Sequence, residues 1–190
     1  MRRWAIVLVG ALLLVAGCST GKDAVDVNNG GEFRFVAGTP AGEVIPEGQR
    51  QSAPAFGGQL LDGTEFSSSE LSGDVAVINF WGSWCPPCRV EAPEFQQVYT
   101  QVHGDGVQFL GINVKDDEQL ADAFVQSKGI TFPSLFDPRG EVSLAFRDYP
   151  PNAIPSTIVL DREGRVAAVY TAAVEPDVLS SVLHRVVEEG

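Results

Sequence analysis

Hydrophobic and polar positions become regular from about residue 54 onward. "FGGQLLDGTEF" sets Asp62-Gly63 between two short apolar-bearing runs, which predicts a β-hairpin. "DVAVINFWG", Asp74 to Gly82, is apolar almost without interruption, the pattern of a strand buried on both faces. Phe95, Val98, Tyr99 and Val102 then recur at i, i+3, i+4 and i+7, one face of a helix that ends near Gly104. "VQFLGINV", Val107 to Val114, predicts a second buried strand. Asp116 reads as an N-cap with Gln119 completing a capping box, and Leu120, Ala123 and Phe124 line a helix stopped by Gly129. "TFPSLF" and a short helical stretch from Glu141 to Phe146 follow. "STIVLD" and "RVAAVY" are joined by Asp161 to Gly164 as a second hairpin, and a last helix from Pro176 buries Val178, Leu179, Val182, Leu183 and Val186. The order is hairpin, β-α-β-α, β-hairpin, α. It predicts an α/β fold, a central mixed sheet flanked by helices with an extra N-terminal β-hairpin.

The first 53 residues lack this regularity. Arg2 and Arg3, an apolar run from Trp4 to Ala16, and the small pair Ala16-Gly17 have the order of a secretory signal peptide, and the run is short for a bilayer span of about 20 residues. "LVAGC" resembles the lipobox of bacterial lipoproteins, which makes Cys18 the lipidated N-terminus of the mature chain. The alternative is a soluble secreted protein or an uncleaved anchor. Residues 18–53, rich in Gly, Pro, Asn and charged residues, read as a flexible tether with an end-to-end distance of about 30–36 Å. Within it, "EFRFVAG" (Glu32 to Gly38) alternates like a strand able to pair with the domain edge. The expected organisation is therefore signal peptide 1–17, tether 18–53 and a folded domain 54–190.

Charge narrows the partners. The formal net charge is −12, or −14 once Arg2 and Arg3 leave with the signal. Without a basic patch, neither nucleic acid nor an anionic lipid surface is an expected electrostatic partner. Export narrows the chemistry as well, because thiols in an oxidising compartment are driven towards disulfides. With Cys18 assigned to lipid, Cys85 and Cys88 remain.

These two sit in "FWGSWCPPCRVEAPEF", between the first buried strand and the first long helix. Cys85 stands where that helix begins. Free N–H groups and the positive end of the helix dipole favour a thiolate there, lowering thiol pKa values from about 8.5 to roughly 3.5–7.5 in such settings. Pro86 costs the helix little at its first position, and Pro86 with Pro87 restricts the turn. Cys88, one turn further in, is expected to be the more shielded. Cys85 is therefore the expected attacking sulfur and Cys88 the resolving one.

"NFWGSWCPPCR", followed some 70 residues later by "AIPSTIVLD", resembles the thioredoxin superfamily, in particular its membrane-anchored TlpA/ResA/CcmG-like thiol-disulfide oxidoreductases. The resemblance runs from about Pro54 to the C-terminus. Pro93 falls where the family's active-site helix kinks, and "INVKDD" resembles the second central strand of this branch. The resemblance implies that Pro155 is a cis-proline against the active-site turn, that Ile154 offers backbone groups to an extended substrate, and that Trp84 borders the reactive sulfur. It also implies an extracytoplasmic reductase of exported proteins on the outer face of the cell membrane. Such a protein is recharged by a membrane thiol carrier of the CcdA/DsbD type, can serve cytochrome c maturation, and acts as a monomer without a prosthetic group. The sequence departs from thioredoxins proper at Asn79, where they carry a buried carboxylate. Glu91, three residues after Cys88, is then either the carboxylate base or an ordinary surface residue of the helix.

Other readings compete for the cysteine pair. Zinc needs four ligands, and His103 and His184 are distant. A purely structural disulfide closes too short a loop to remove much chain entropy. The peroxidase pattern P-x-x-x-T-x-x-C fails at both cysteines, with Ile78 and Gly82 at the offsets from Cys85 and Trp81 and Cys85 at those from Cys88. A thiol oxidase or isomerase, and a non-catalytic peptide-binding module, remain as alternatives to a reductase.

Overall fold

Asp62 and Gly63 turn the chain by the means their residue types supply. Gly63 takes a left-handed φ of 86°, and the Asp62 carboxylate accepts from the Thr64 amide at 2.9 Å and its hydroxyl at 2.7 Å. Strands β1 (Gly57–Gln59) and β2 (Glu65–Ser67) thereby close as an antiparallel hairpin. The computed structural model describes residues 38–39, 41, 43–146, 148–149 and 153–189. The expected signal peptide, Cys18 and all but Gly38 of the "EFRFVAG" segment lie outside them.

The main sheet has the order β5-β4-β3-β6-β7. Its strands are β3 (Val75–Trp81), β4 (Val107–Val114), β5 (Ser134–Asp137), β6 (Ser156–Leu160) and β7 (Val166–Tyr170). β3, β4 and β5 run parallel, and β6 and β7 are antiparallel additions. The helices are α1 (Pro86–Val102), α2 (Glu118–Lys128), the short α3 (Glu141–Ala145) and α4 (Pro176–Glu188). Side chains of β3 alternate between two cores. Val75 and Val77 pack with Phe95 and Val98 of α1 and with Leu179, Val182 and Leu183 of α4. Ala76, Ile78 and Phe80 pack with Leu110, Ile112, Phe146 and Ile158. With both faces covered, the central strands read as unbroken apolar runs. The observed mixed sheet, flanking helices and added hairpin are those expected.

Two details differ from expectation. The N-cap of α2 is Asp117, whose carboxylate accepts from the Gln119 and Leu120 amides. The buried face is carried by Ala121 and Phe124, while Leu120 is 60% exposed and Ala123, also expected in the stripe, is exposed. The last residues of the expected tether are also packed. Ile45 N–H donates to Ala167 at 2.7 Å, and Val166 N–H donates to Gln51 at 2.8 Å. Arg50 is buried against Asp161 and Glu189 at 3.1 and 2.6 Å. Residues 44–53 therefore belong to the folded unit, held along the β7 edge by backbone pairing that their polar composition conceals.

β3 and β4 both end on the side where α1 and α2 begin. In open α/β sheets, ligands bind outside such carboxyl ends.

Candidate active site

The turn from β3 into α1 is fixed before it reaches the first cysteine. Asp116, just past β4, accepts from the Ser83 amide at 2.6 Å through Oδ2 and from the Ser83 hydroxyl at 2.8 Å through Oδ1. Asn113 Nδ2 donates to the same carboxylate at 2.9 Å. These bonds outweigh partial burial and hold the Asp116 carboxyl below its ordinary pKa, so it is ionised around neutrality. Trp84 Nε1 donates to the Val114 carbonyl at 3.3 Å, leaving the side chain 53% exposed beside the motif. Gly82 makes room for it, since a Cβ there would stand 2.6 Å from the indole nitrogen.

Cys85 is the N-cap of α1, and Pro86 and Pro87 fill the first two helical positions, where no N–H is needed. The Cys88 amide donates to Cys85 Sγ at 3.2 Å, the bond an N-cap side chain ordinarily accepts. The two sulfurs form a disulfide with an S–S distance of 2.07 Å. Cys85 Sγ also lies 3.5 Å from the Ile154 carbonyl oxygen. A disulfide sulfur carries no hydrogen, so in this state that approach is a contact, and it becomes a hydrogen bond when a thiol is present. The Ile154–Pro155 peptide bond is cis, and Pro155 is buried. Cys85, Cys88, Trp84, Pro86, Pro87, Ile154 and Pro155 therefore meet at one end of the sheet.

Cys88 is not the deeper of the pair. Both cysteines are 1% exposed in the oxidised state, because the Ile154 segment lies over Cys85. Behind them Trp81 stacks on Phe124 with ring centroids 4.9 Å apart, and Ala121 completes the apolar packing around the disulfide.

Glu91 is not an ordinary surface residue of the helix. It is 2% exposed. Oε2 accepts from Asn79 Nδ2 at 3.1 Å and Oε1 from the Val174 amide at 3.0 Å, while Asn79 Nδ2 also donates to Thr157 at 3.1 Å. Burial outweighs these donors and raises the carboxyl pKa from 4.5 to about 7. A buried carboxyl poised near neutrality, one helical turn from Cys88, can hold or release a proton over the pH range in which thiols exchange.

Sequence reasoning missed the Ser83–Asp116 clamp and the Asn79–Thr157 pair. The "INVKDD" segment carried the only available sign of the first, a carboxylate at a strand end beside the motif. Among the described residues, no group of three or more His, Cys, Asp and Glu could hold a metal ion, and no helix is long and apolar enough to cross a membrane.

An N-cap cysteine in a disulfide one helical turn long, facing a cis-proline segment at the carboxyl ends of parallel strands, defines a thioredoxin-like thiol-disulfide oxidoreductase. The chain belongs to the AhpC/TSA family, whose model matches residues 50–169 and so contains both cysteines. It is 30% identical to the thiol-disulfide oxidoreductase ResA of Bacillus subtilis over 142 residues, 75% of this chain and 76% of the relative. It is 32% identical to ResA of Geobacillus thermodenitrificans over 120 residues, 63% and 67% of the two chains. Among solved structures, a DsbF homologue from Corynebacterium diphtheriae aligns with a TM-score of 0.71 and 34% identity, covering 77% of this chain and 96% of its own. A secreted thiol-disulfide isomerase from Corynebacterium glutamicum aligns at 0.73 and 33%, covering 79% and 95%.

Proposed function

We propose that this protein reduces disulfides of exported proteins from the outer face of the cell membrane. In its reduced form the Cys85 thiolate attacks one sulfur of a substrate disulfide, forming a mixed disulfide and expelling the first substrate thiolate. The Cys88 thiolate then attacks Cys85 Sγ and expels the second. Two electrons pass to the substrate, its two expelled thiolates take their protons from solvent, and the Cys85–Cys88 disulfide remains. Glu91 acts as a positioning and proton-holding group, accepting the Cys88 proton as that sulfur becomes a nucleophile. A membrane dithiol donor of the CcdA/DsbD type returns the pair to the reduced state. Cytochrome c maturation is one process that such a reductase serves.

The observation that carries the reading is the placement of Cys85 Sγ. It receives the Cys88 amide at 3.2 Å at the head of α1 and lies 3.5 Å from the Ile154 carbonyl. A thiolate there gains from the helix dipole and a backbone donor, and an extended substrate can pair with the Ile154 backbone. Residues 1–18 support export and lipid attachment through Cys18, and solved relatives described as secreted support an extracytoplasmic site. The name of the C. glutamicum relative favours isomerisation as a second reading.

Equilibration of the full chain with dithiol buffers, together with an insulin-reduction assay, tests the direction. A reductase gives insulin turnover and a potential well below the roughly −120 mV of a DsbA-like oxidant. A potential near that value contradicts a reducing role. No turnover and no alkylatable low-pKa thiol after reduction leaves only a binding module.

A further inference from the structure

Among the described residues, the exposed large apolar side chains are Trp84, Val90, Leu120 and Leu144. All four belong to segments that follow the carboxyl ends of β3, β4 or β5. Trp84 and Leu144 share a groove of about 550 Å³ with Ile154, and Lys115 and Arg139 line it too. Ile154, whose carbonyl lies 3.5 Å from Cys85 Sγ, is one of its lining residues, so the groove lies beside the covered sulfur.

Two cations line it. Among the described residues, Lys115 is the non-glycine residue at a left-handed φ, 51°, a conformation that disfavours any side chain with a Cβ. Its stem runs along the groove wall, with Cε 3.9 Å from where a Cβ on Gly140 would stand. Strained backbone at a binding surface is a pointer to function when an actual outlier is seen. The carboxylates nearby are already engaged. Asp116 holds Ser83 and Asn113, and Asp137 caps the Glu141 and Val142 amides at 2.7 and 3.0 Å. Glu141 pairs with Arg139 through Nε at 2.8 Å. Lys115 forms no ion pair among the described residues, and so presents an uncommitted positive charge on a chain of net charge −12.

We propose that this groove is a specificity subsite for the polypeptide flanking the substrate cysteine, and that it selects an extended segment carrying an acidic side chain beside an apolar one. The apolar residue packs between Trp84, Ile154 and Leu144, and the carboxylate meets Lys115, with Arg139 a second cation at the rim whose pair with Glu141 is solvent-exposed. The proposal rests on the exchange reaction above and names the substrate class of that same site. Electrostatic complementarity at a wet rim acts mainly on encounter and choice of partner, so the effect belongs in the rate constant for forming the mixed disulfide.

The test uses the reduced full chain and three peptides, each with one internal disulfide, identical except for Glu-Leu, Gln-Leu or Lys-Leu beside the first cysteine. The expected result is a second-order rate about threefold to tenfold higher for the Glu peptide than for the Lys peptide at low salt, the ratio shrinking as salt is added. In the K115Q/R139Q double variant the ratio falls to near one, and in K115E/R139E it inverts. Equal rates for all three peptides in the parent chain, or a ratio unchanged in the double variant, overturns the subsite while leaving exchange in place. Failure to reduce any of the three overturns the exchange reaction, and the subsite with it.

Discussion

Asn79 and Glu91 are bonded across the strand–helix interface, Nδ2 to Oε2 at 3.1 Å. The strand supplies the amide and the helix the carboxylate, so a buried acid stands one helical turn after Cys88 without a carboxylate in β3.

Glu91 should set the pH dependence of the second exchange step. With a pKa near 7, the rate of resolution of the mixed disulfide is expected to rise through about pH 7, and E91Q should remove that inflection. Asn79→Leu deletes a donor to the ionised form and should move the inflection upward. Stopped-flow exchange across pH 5–9 reads both. A parent-like inflection in E91Q contradicts the assignment.

The same group makes stability pH-dependent. Its folded pKa is raised, so the native state holds a proton that the unfolded chain has released. Stability is then highest below about pH 4.5 and lost as pH rises to about 7, by about 3 kcal/mol on this group alone. The difference between parent and E91Q in urea midpoint at pH 5 and pH 8 should carry that sign.

Asp116 should hold the motif turn rather than react. D116A removes both acceptors of Ser83 and is expected to slow mixed-disulfide formation while leaving the Glu91 inflection in place. Its own effect on stability runs the other way in pH, because its carboxyl is held below the ordinary range. The stabilisation is present near neutrality and is lost on acidification through that low pKa. Rates for D116A and D116N, with thermal melts at pH 7 and pH 3, check this.

Arg50 should be structural. Its guanidinium is buried between Asp161 and Glu189, and Arg165 is a second partner of Asp161 at 2.8 Å. R50A is expected to cost about 2–3 kcal/mol in chemical denaturation, with the reduction potential unchanged.

Much of this was legible in the sequence where local pattern and tertiary outcome coincide. β3 and β4 announced themselves because burial on both faces forbids polar interruption. The Asp62-Gly63 turn, the Gly129 stop and the apolar stripe of α4 are short-range devices whose chemistry lies in adjacent residues. Cys85-Pro86-Pro87-Cys88 was legible because a helix start, two prolines and two thiols fall within four consecutive positions, three residues after Gly82.

The rest depended on contacts distant in sequence. A glutamate inside a helix reads as solvated until the amides of Asn79 and Val174 are known to reach it. The clamp on Ser83 comes from a residue 33 positions away, and Asp116 took the appearance of a helix cap from its neighbour Asp117. Arg50 read as part of a polar tether because nothing local reveals that Asp161 and Glu189 await it. The shielding of Cys85 comes from Ile154, 69 residues on.

Capture of the reaction intermediate tests the exchange mechanism most directly. Full-length C88S and C85S, each reduced and mixed with a disulfide-bearing exported protein, are analysed by non-reducing mass spectrometry. The mechanism predicts a stable mixed disulfide through Cys85 in C88S, released by added dithiol, and little or none in C85S. Absence of any adduct in C88S, while Cys85 still alkylates readily, contradicts it.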